Sequence, residues 1–319
     1  MNELPNVLPL RDRADITDRW LADRLDTVVP ELMRREGIDT WVLAAREYNE
    51  DPVLATMLPA TWFNARRRTI LVFSNFGARR AAIARYAVGD LFPSAWDPEA
   101  EPDQWLALAK HLEEVDPQQI AVNRSDVFAL SDGLSSTEHE AMIRTLSPGV
   151  RSRTVTNHRL AIGWLETRIP AEMAEYPRIV ALSHEIVRRG LTTAIEPGRT
   201  TTEDLEWWFR QEVLDLGLST WFQPTVSVQR RGGIGRGSFA DHPSATTIGP
   251  GDLVHVDFGI EYLGLHTDMQ QHSYVLRPGE DAPPPGLVEA LALGNRAQDV
   301  LMSEYATGRT GNEILDRSK

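Results

Sequence analysis

Apolar positions in the first half of the chain alternate between helical and extended spacing. Residues 15–36 place apolar side chains such as Ile16, Trp20 and Leu25 on one helical face, and Gly37 follows, as a helix C-terminus prefers. Further segments predict three buried strands and two helices, at 39–44, 69–73, 119–122, 101–115 and 136–146. Helices that alternate with short strands predict a layered α/β domain over residues 1–165.

The second half has a different order of elements, which predicts a second domain over residues 166–319. It begins with a helical pattern at 172–195 and continues with a helix that ends near Leu216. Three strands and a long helix are then expected, at 220–228, 252–260, 268–276 and 286–305.

One short element of the second half occurs twice. Gly198-Arg199-Thr200 followed by Glu203 matches Gly308-Arg309-Thr310 followed by Glu313, and a long predicted helix precedes each copy. In both copies we expect the threonine to cap a helix and the glutamate to cap back. A common helix start would explain one copy alone, but the matching helix ahead of each favours an internal duplication.

The duplication predicts that part of the second copy is absent. The first copy continues after its capped helix into strands that extend beyond Asp268, whereas the chain ends at Lys319, six residues after Glu313. We therefore expect the second half-repeat to be incomplete and the chain to be a truncated form of a longer protein.

Composition narrows the class of protein. With 33 basic and 46 acidic residues the formal net charge is −13, which argues against nucleic-acid binding. No run approaches the roughly 20 apolar residues of a membrane span, and the N-terminal residues lack the pattern of a secretory signal. The absence of cysteine excludes disulfides and zinc–thiolate sites and fits a cytoplasmic protein. We expect a soluble acidic enzyme without a nucleic-acid or membrane partner.

Two aspartates on neighbouring predicted strands are the strongest candidates for chemistry. In 252–260 the valines and Phe258 share one face, and His255 and Asp257 share the other. Asp268 begins the next strand, so in a hairpin it can lie opposite Asp257. Two adjacent carboxylates repel each other, and a divalent cation removes that cost. Solvated aspartates in a turn are the alternative, but the apolar flanks and the shared face favour a metal site.

The segment V-H-V-D-F-G-I-E-Y-L-G-L-H-T-D resembles the creatinase, aminopeptidase P, prolidase and methionine aminopeptidase group, the "pita-bread" metallopeptidases. D-F-G followed by T-D is similar to the first two metal ligands of that family, and Ala240-Asp241-His242-Pro243 is similar to its substrate-contacting histidine segment. The resemblance implies an α/β (α+β) fold with a creatinase-like N-terminal α/β domain. It also implies a pita-bread C-terminal domain, whose second half-repeat would here be incomplete.

The resemblance also implies a reaction. Xaa-Pro aminopeptidases and prolidases cleave peptides that carry proline at the second position. Two divalent metal ions (Mn²⁺, Co²⁺ or Fe²⁺, with Zn²⁺ as a further candidate) share a bridging water and activate it for attack on the scissile carbonyl. By resemblance, Asp257 would bind one metal ion, Asp268 would bridge both, and His242 would hydrogen-bond the substrate or stabilise the tetrahedral intermediate. Homodimers are common in the family.

Two departures from the family pattern limit these expectations. The family often has D-x-T-R after the second ligand, whereas Met269-Gln270-Gln271 follows Asp268 here. The remaining ligands, one His and two Glu, are expected beyond Lys319, so we predict weak metal binding and no hydrolysis by this chain. A creatinase-like or lyase-type enzyme on the same fold and an inactive fragment or binding protein stay open as alternatives. His255 and His272 are interpreted as hydrogen-bonded structural residues.

Overall fold

The computed structural model describes residues 7–230 and 245–319, which divide into two compact units. Of the described residues, the first unit contains 7–177 together with Leu263–Leu265, and the second contains 178–230, 245–262 and His266–Lys319. This division falls inside one continuous helix, Pro170–Thr193, and the domain boundary at residue 165 stays a prediction.

The first unit is an α/β layer structure around a five-stranded sheet. In chain order its elements are α1 (Leu10–Arg35), β1 (Thr40–Arg46), α2 (Pro52–Ala55), β2 (Arg68–Ser74), β3 (Arg79–Ala84), α3 (Gln104–Val115), β4 (Ile120–Val122), a 3₁₀ turn (Ala129–Ser131), α4 (Ser136–Thr145), α5 (Pro148–Arg151), β5 (Thr154–Thr156) and α6 (His158–Glu166). The strand order is β3-β2-β1-β4-β5, with β1, β4 and β5 parallel and β2 and β3 antiparallel to their neighbours.

The core of this unit explains why its strands are continuous apolar runs rather than alternating ones. Both faces of β1 are buried, since Trp41 and Leu43 are fully enclosed on one side and Val42 and Ala44 on the other. Helices α3 and α4 contribute to the cluster on the Val42 face. The α/β domain predicted from the sequence is confirmed. Strand β3 was missed because its alanines and arginines give no strand pattern.

The second unit contains a small antiparallel sheet and four helices within its described residues. Its elements are α7 (Pro170–Thr193, which starts in the first unit), α8 (Thr202–Asp215), β6 (Thr225–Gln229), β7 (Leu253–Phe258), β8 (Glu261–Tyr262), β9 (Leu265–His266), β10 (Met269–Tyr274), α9 (Pro285–Glu304) and α10 (Gly311–Ser318). The sheet order is β10-β7-β6, and β8 pairs with β9 in a short hairpin. None of the helices in the described ranges has the length and hydropathy that a bilayer-spanning segment needs.

The capping threonine lies one residue later in the first copy of the repeated helix start than in the second copy. Thr310 caps α10 and Glu313 caps back, as predicted. The same prediction for Thr200 and Glu203 is wrong, because Thr201 and Asp204 form the capping box of α8. The hydroxyl of Thr200 instead accepts a hydrogen bond from the Glu196 N–H, which holds it in the preceding turn and leaves the next threonine to cap the helix.

Candidate metal centre

Strand β7 lies in the middle of the small sheet and carries the first candidate ligand. Val254, Val256 and Phe258 are at most 1 % exposed, whereas His255 and Asp257 point to the opposite, half-buried face. This confirms the predicted alternation, which follows from the two-residue period of a strand. Because β6 and β10 both pair with β7, the backbone that carries Asp257 is held on both sides.

Strand β10 sets the position of the second candidate relative to the first. The register pairs Asp257 with Gln270, so the expectation that Asp268 lies directly opposite Asp257 is wrong. Asp268 immediately precedes β10, two residues before Gln270, which places it diagonally across from Asp257 on the same face. The register is offset because the chain makes the β8–β9 hairpin before it returns at Thr267, whose N–H donates to the carbonyl of Ile260.

The carboxylate of Asp257 is electrostatically unusual. Its Oδ1 atom is buried and has no hydrogen-bond partner among the described residues. Burial raises the pKa of Asp257 above its ordinary value, and the nearby negative charge of Asp268 raises it further, while His255 opposes the shift. A buried carboxylate oxygen without a donor is costly. A cation at this position would remove both the desolvation cost and the repulsion between the two aspartates.

Thr267 fixes the backbone just before Asp268. Its side chain is 2 % exposed, and its hydroxyl accepts a hydrogen bond from the Ile260 N–H at 3.0 Å and lies 3.0 Å from the hydroxyl of Ser183 on α7. The indole N–H of Trp221 donates to the Thr267 carbonyl at 3.0 Å. These contacts were not predicted from the sequence, because they join residues that are up to 84 positions apart.

Gly259 allows the two strands to approach closely at the site. A Cβ atom at this position would overlap the carbonyl oxygen of Thr267 and lie 2.6 Å from the ring of Phe222. The signal available in the sequence was a glycine inside an apolar strand, which often marks a close approach of another backbone. Gly259 and Thr267 therefore position Asp268 relative to Asp257.

The two strand histidines lie on the same face as the aspartates. His255 and His272 are cross-strand partners, and their ring centroids are 4.8 Å apart. The interpretation of His255 as a hydrogen-bonded residue is confirmed, since its Nε2 atom lies 3.1 Å from Oε1 of Gln270. His272 makes the ring contact with His255 instead, and burial lowers its pKa, with His255 contributing to the shift.

The third candidate, His242, lies outside the described residues, as does the rest of the Ala240–Pro243 segment. In the part of the chain that the structure describes, no cluster of three or more His, Asp or Glu side chains is arranged to hold a metal ion. The described contribution to a metal centre is therefore the pair Asp257 and Asp268, and their role as ligands stays a prediction.

Several solved structures share this fold at low sequence identity. The X-Pro aminopeptidase from Thermotoga maritima is 15 % identical, with a TM-score of 0.64 over 90 % of this chain and 76 % of that one. The Xaa-Pro dipeptidase from Bacillus anthracis is 17 % identical, with a TM-score of 0.55 over 93 % and 75 % of the two chains. The prolidase from Pyrococcus furiosus is 12 % identical, with a TM-score of 0.54 over 91 % and 76 %. No curated protein sequence matches the chain.

Sequence comparison places the candidate site inside a known family. The family model "Metallopeptidase family M24" matches residues 174–318, a range that contains both aspartates, the small sheet and both copies of the repeated helix start. The similarity to the aminopeptidase and prolidase structures extends the shared fold to the N-terminal α/β domain. Residues 174–318 therefore match the M24 metallopeptidase family.

Proposed function

We propose that the protein is an Xaa-Pro aminopeptidase- or prolidase-like metallopeptidase in which Asp257 and Asp268 are two of the ligands for two divalent metal ions. The observation that carries this proposal is the buried Oδ1 atom of Asp257, which has no hydrogen-bond partner in the described part of the chain and lies near a second carboxylate. Carboxylate oxygens suit Mn²⁺, Co²⁺, Fe²⁺ or Zn²⁺. Three of the structures that share the fold carry the names X-Pro aminopeptidase, Xaa-Pro dipeptidase and prolidase, which supports this choice of reaction.

Each residue has a defined task in this proposal. Asp257 presents its carboxylate from the central strand of the sheet, and Thr267 keeps Asp268 at a fixed distance from it through its bonds to Ile260 and Ser183. When bound, the metal ions would lower the pKa of a shared water and polarise the scissile carbonyl. His242 would hydrogen-bond the peptide, whose second residue we propose to be proline.

The number of ligands limits what this chain does alone. Two carboxylates are too few to fix a pair of metal ions, and no third described His, Asp or Glu is placed to help them. We therefore expect the 319-residue chain to bind Mn²⁺ weakly and to cleave an Xaa-Pro dipeptide very slowly or not at all. A cytoplasmic location and a homodimer stay predictions. The net charge of −13 supports the absence of a nucleic-acid partner.

A Mn²⁺ titration followed by electron paramagnetic resonance tests the proposal without relying on activity. We expect the chain to show saturable Mn²⁺ binding that falls at least tenfold in Asp257→Asn and in Asp268→Asn. The matched control is Asp252→Asn, just ahead of β7, whose carboxylate is already paired with Arg230 at 2.7 Å. Equal Mn²⁺ binding by the chain and by Asp257→Asn would overturn the assignment. Tight Mn²⁺ binding with cleavage of Ala-Pro would contradict the expectation of a weak, inactive site.

A further inference from the structure

A cavity of about 730 Å³ lies in the first unit, at the end of the sheet where β1 begins. It plays no part in the proposed metal chemistry, because all of its lining residues belong to the N-terminal α/β domain. The lining residues used below are Thr40, Ser74, Phe76, Arg79, His111 and Glu114.

The sheet register explains why polar side chains gather in this cavity. Trp41 pairs with Phe73 in the antiparallel β1–β2 ladder, so the next pair outward is Thr40 opposite Ser74. Thr40 shares a strand face with Val42, which packs into the same core cluster as Leu108 and Leu112 of α3. His111 lies between those two leucines in sequence, and it lines the cavity together with Thr40 and Ser74.

Two residues that line this cavity, Thr40 and His111, each have a buried polar atom without a hydrogen-bond partner in the described part of the chain. These atoms are Oγ1 of Thr40, whose residue is 0 % exposed, and Nε2 of His111. An unpaired buried polar group is destabilising, so buried groups of this kind normally have a partner. Both belong to residues that line one cavity, which indicates that a polar ligand completes them. Burial lowers the pKa of His111, with the nearby charge of Glu114 opposing the shift, so burial favours the neutral imidazole.

Five charged residues line the cavity, and three of them have partners. Arg80 is paired with Asp26 and Asp116 with Arg153, each at 2.8 Å, and the carboxylate of Asp39 accepts hydrogen bonds from the N–H groups of Gln118 and Gln119. The exposed side chains of Arg79 and Glu114 make no hydrogen bond or ion pair within the described ranges. Arg79 and Glu114 therefore give the cavity one unpaired cation and one unpaired anion, next to the uncharged side chains of Thr40 and Ser74.

The turns that border the cavity have left-handed backbone. Asn75 (φ 51°) and Phe76 (54°) lie in the turn between β2 and β3, and Asp116 (48°) is the C-cap of α3. Asparagine and aspartate adopt this conformation readily in turns and helix caps.

We propose that this cavity binds a free α-amino acid as its zwitterion. The ligand carboxylate would pair with Arg79 and accept a hydrogen bond from the hydroxyl of Thr40. The ligand ammonium would pair with Glu114 and donate to the neutral imidazole of His111. A free anion or a free amine would satisfy only one side of this arrangement.

Titration with L-alanine, followed by calorimetry and by the ¹⁵N resonances of the histidine side chains, tests the proposal. We expect millimolar L-alanine to shift the His111 resonance, and Arg79→Gln and Thr40→Val to weaken binding at least tenfold. The matched control is Arg85→Gln, since Arg85 is also exposed and lies in the same unit. Thr40→Val is close to isosteric, and its melting temperature identifies any loss of folding.

Three outcomes would overturn the amino-acid site. The first is no shift of the His111 resonance at millimolar L-alanine. The second is binding that Arg79→Gln and Thr40→Val leave unchanged. The third is acetate or methylammonium binding as tightly as L-alanine, which would indicate a site for a single charge. Binding that persists in EDTA and in Asp257→Asn separates this cavity from the proposed metal centre.

Discussion

At the scale of single residues, Gly259 and Thr267 fix the backbone that positions Asp268 relative to Asp257. The sequence predicted which face of β7 carries Asp257, because that depends only on a two-residue period. It did not predict the diagonal placement of Asp268, because the register depends on how the chain turns through β8 and β9. It also gave no reason to assign a role to Thr267, whose partners Ser183 and Trp221 are distant in sequence.

Replacing Gly259 tests whether close strand approach supports the site. We expect Gly259→Ala to lower the free energy of unfolding by about 2 kcal/mol, because its Cβ would overlap the Thr267 carbonyl and crowd Phe222. We also expect weaker Mn²⁺ binding, since the Asp268 backbone has to shift. Urea unfolding and a Mn²⁺ titration measure the two effects.

Gly294 in α9 provides the matched control, since nothing lies within 4 Å of the position that its Cβ would take. Gly294→Ala should raise the free energy of unfolding by about 0.5–1 kcal/mol, as alanine does in a helix. A Gly259→Ala protein as stable as Gly294→Ala would contradict the account of close approach.

The two aspartates 252 and 257 should respond to pH in opposite directions. Arg230 lowers the pKa of Asp252 through hydrogen bonds of 2.7 and 2.9 Å, helped by the Gly249 N–H. The ionised Asp252 therefore stabilises the folded protein at pH values above its ordinary pKa of 3.8. This stabilisation is lost as the pH falls through the lowered pKa of Asp252. Asp257 has a raised pKa, so its contribution is largest at low pH and is lost as pH rises through the raised value.

Substitution by asparagine separates these contributions in the metal-free protein. At neutral pH we expect Asp252→Asn to lower the free energy of unfolding by about 1 kcal/mol, an effect that shrinks as pH falls below about 4. We expect Asp257→Asn to raise the free energy of unfolding at neutral pH, because the buried charge is removed. Urea unfolding across this pH range in EDTA measures both, and effects of the same sign at neutral pH would contradict the assigned pKa directions.

At the scale of elements, the sequence predicted helices and buried strands well and their exact ends less well. The helices α1, α3 and α7 were predicted because apolar residues recur at helical spacing along each of them. Strand β6 begins at Thr225 rather than at residue 220, because Ser219 bridges to Glu261 and the Thr220 hydroxyl donates to the Gly259 carbonyl. Such tertiary contacts override local preference and are not visible in a local pattern.

The start of α8 gives a direct test of the corrected cap. Thr201→Ala removes the hydroxyl that accepts the Asp204 N–H, so we expect a loss of about 1 kcal/mol in the free energy of unfolding. The control is Thr192→Ala, because the exposed Thr192 hydroxyl only donates back to the Arg188 carbonyl within α7. Thermal unfolding followed by circular dichroism compares the two, and equal losses would argue against a cap at Thr201.

At the scale of the whole molecule, a short sequence motif predicted the protein family, whereas the overall composition did not. The D-F-G and T-D segments led to the metallopeptidase family, and the family match over residues 174–318 confirms that prediction. Composition led only to an acidic protein of ordinary hydrophobicity. The cavity at Thr40 and His111 was not predicted, because it depends on the packing of α3 against one end of the first sheet.

The proposed function depends on divalent-metal binding by Asp257 and Asp268 together. Anomalous diffraction from crystals grown with excess Mn²⁺ tests this binding, because the scattering locates the metal without reference to activity. We predict an anomalous peak within bonding distance of carboxylate oxygens of both aspartates, and its loss in crystals of Asp257→Asn. A peak coordinated elsewhere, or none at these two side chains at saturating Mn²⁺, would contradict the account.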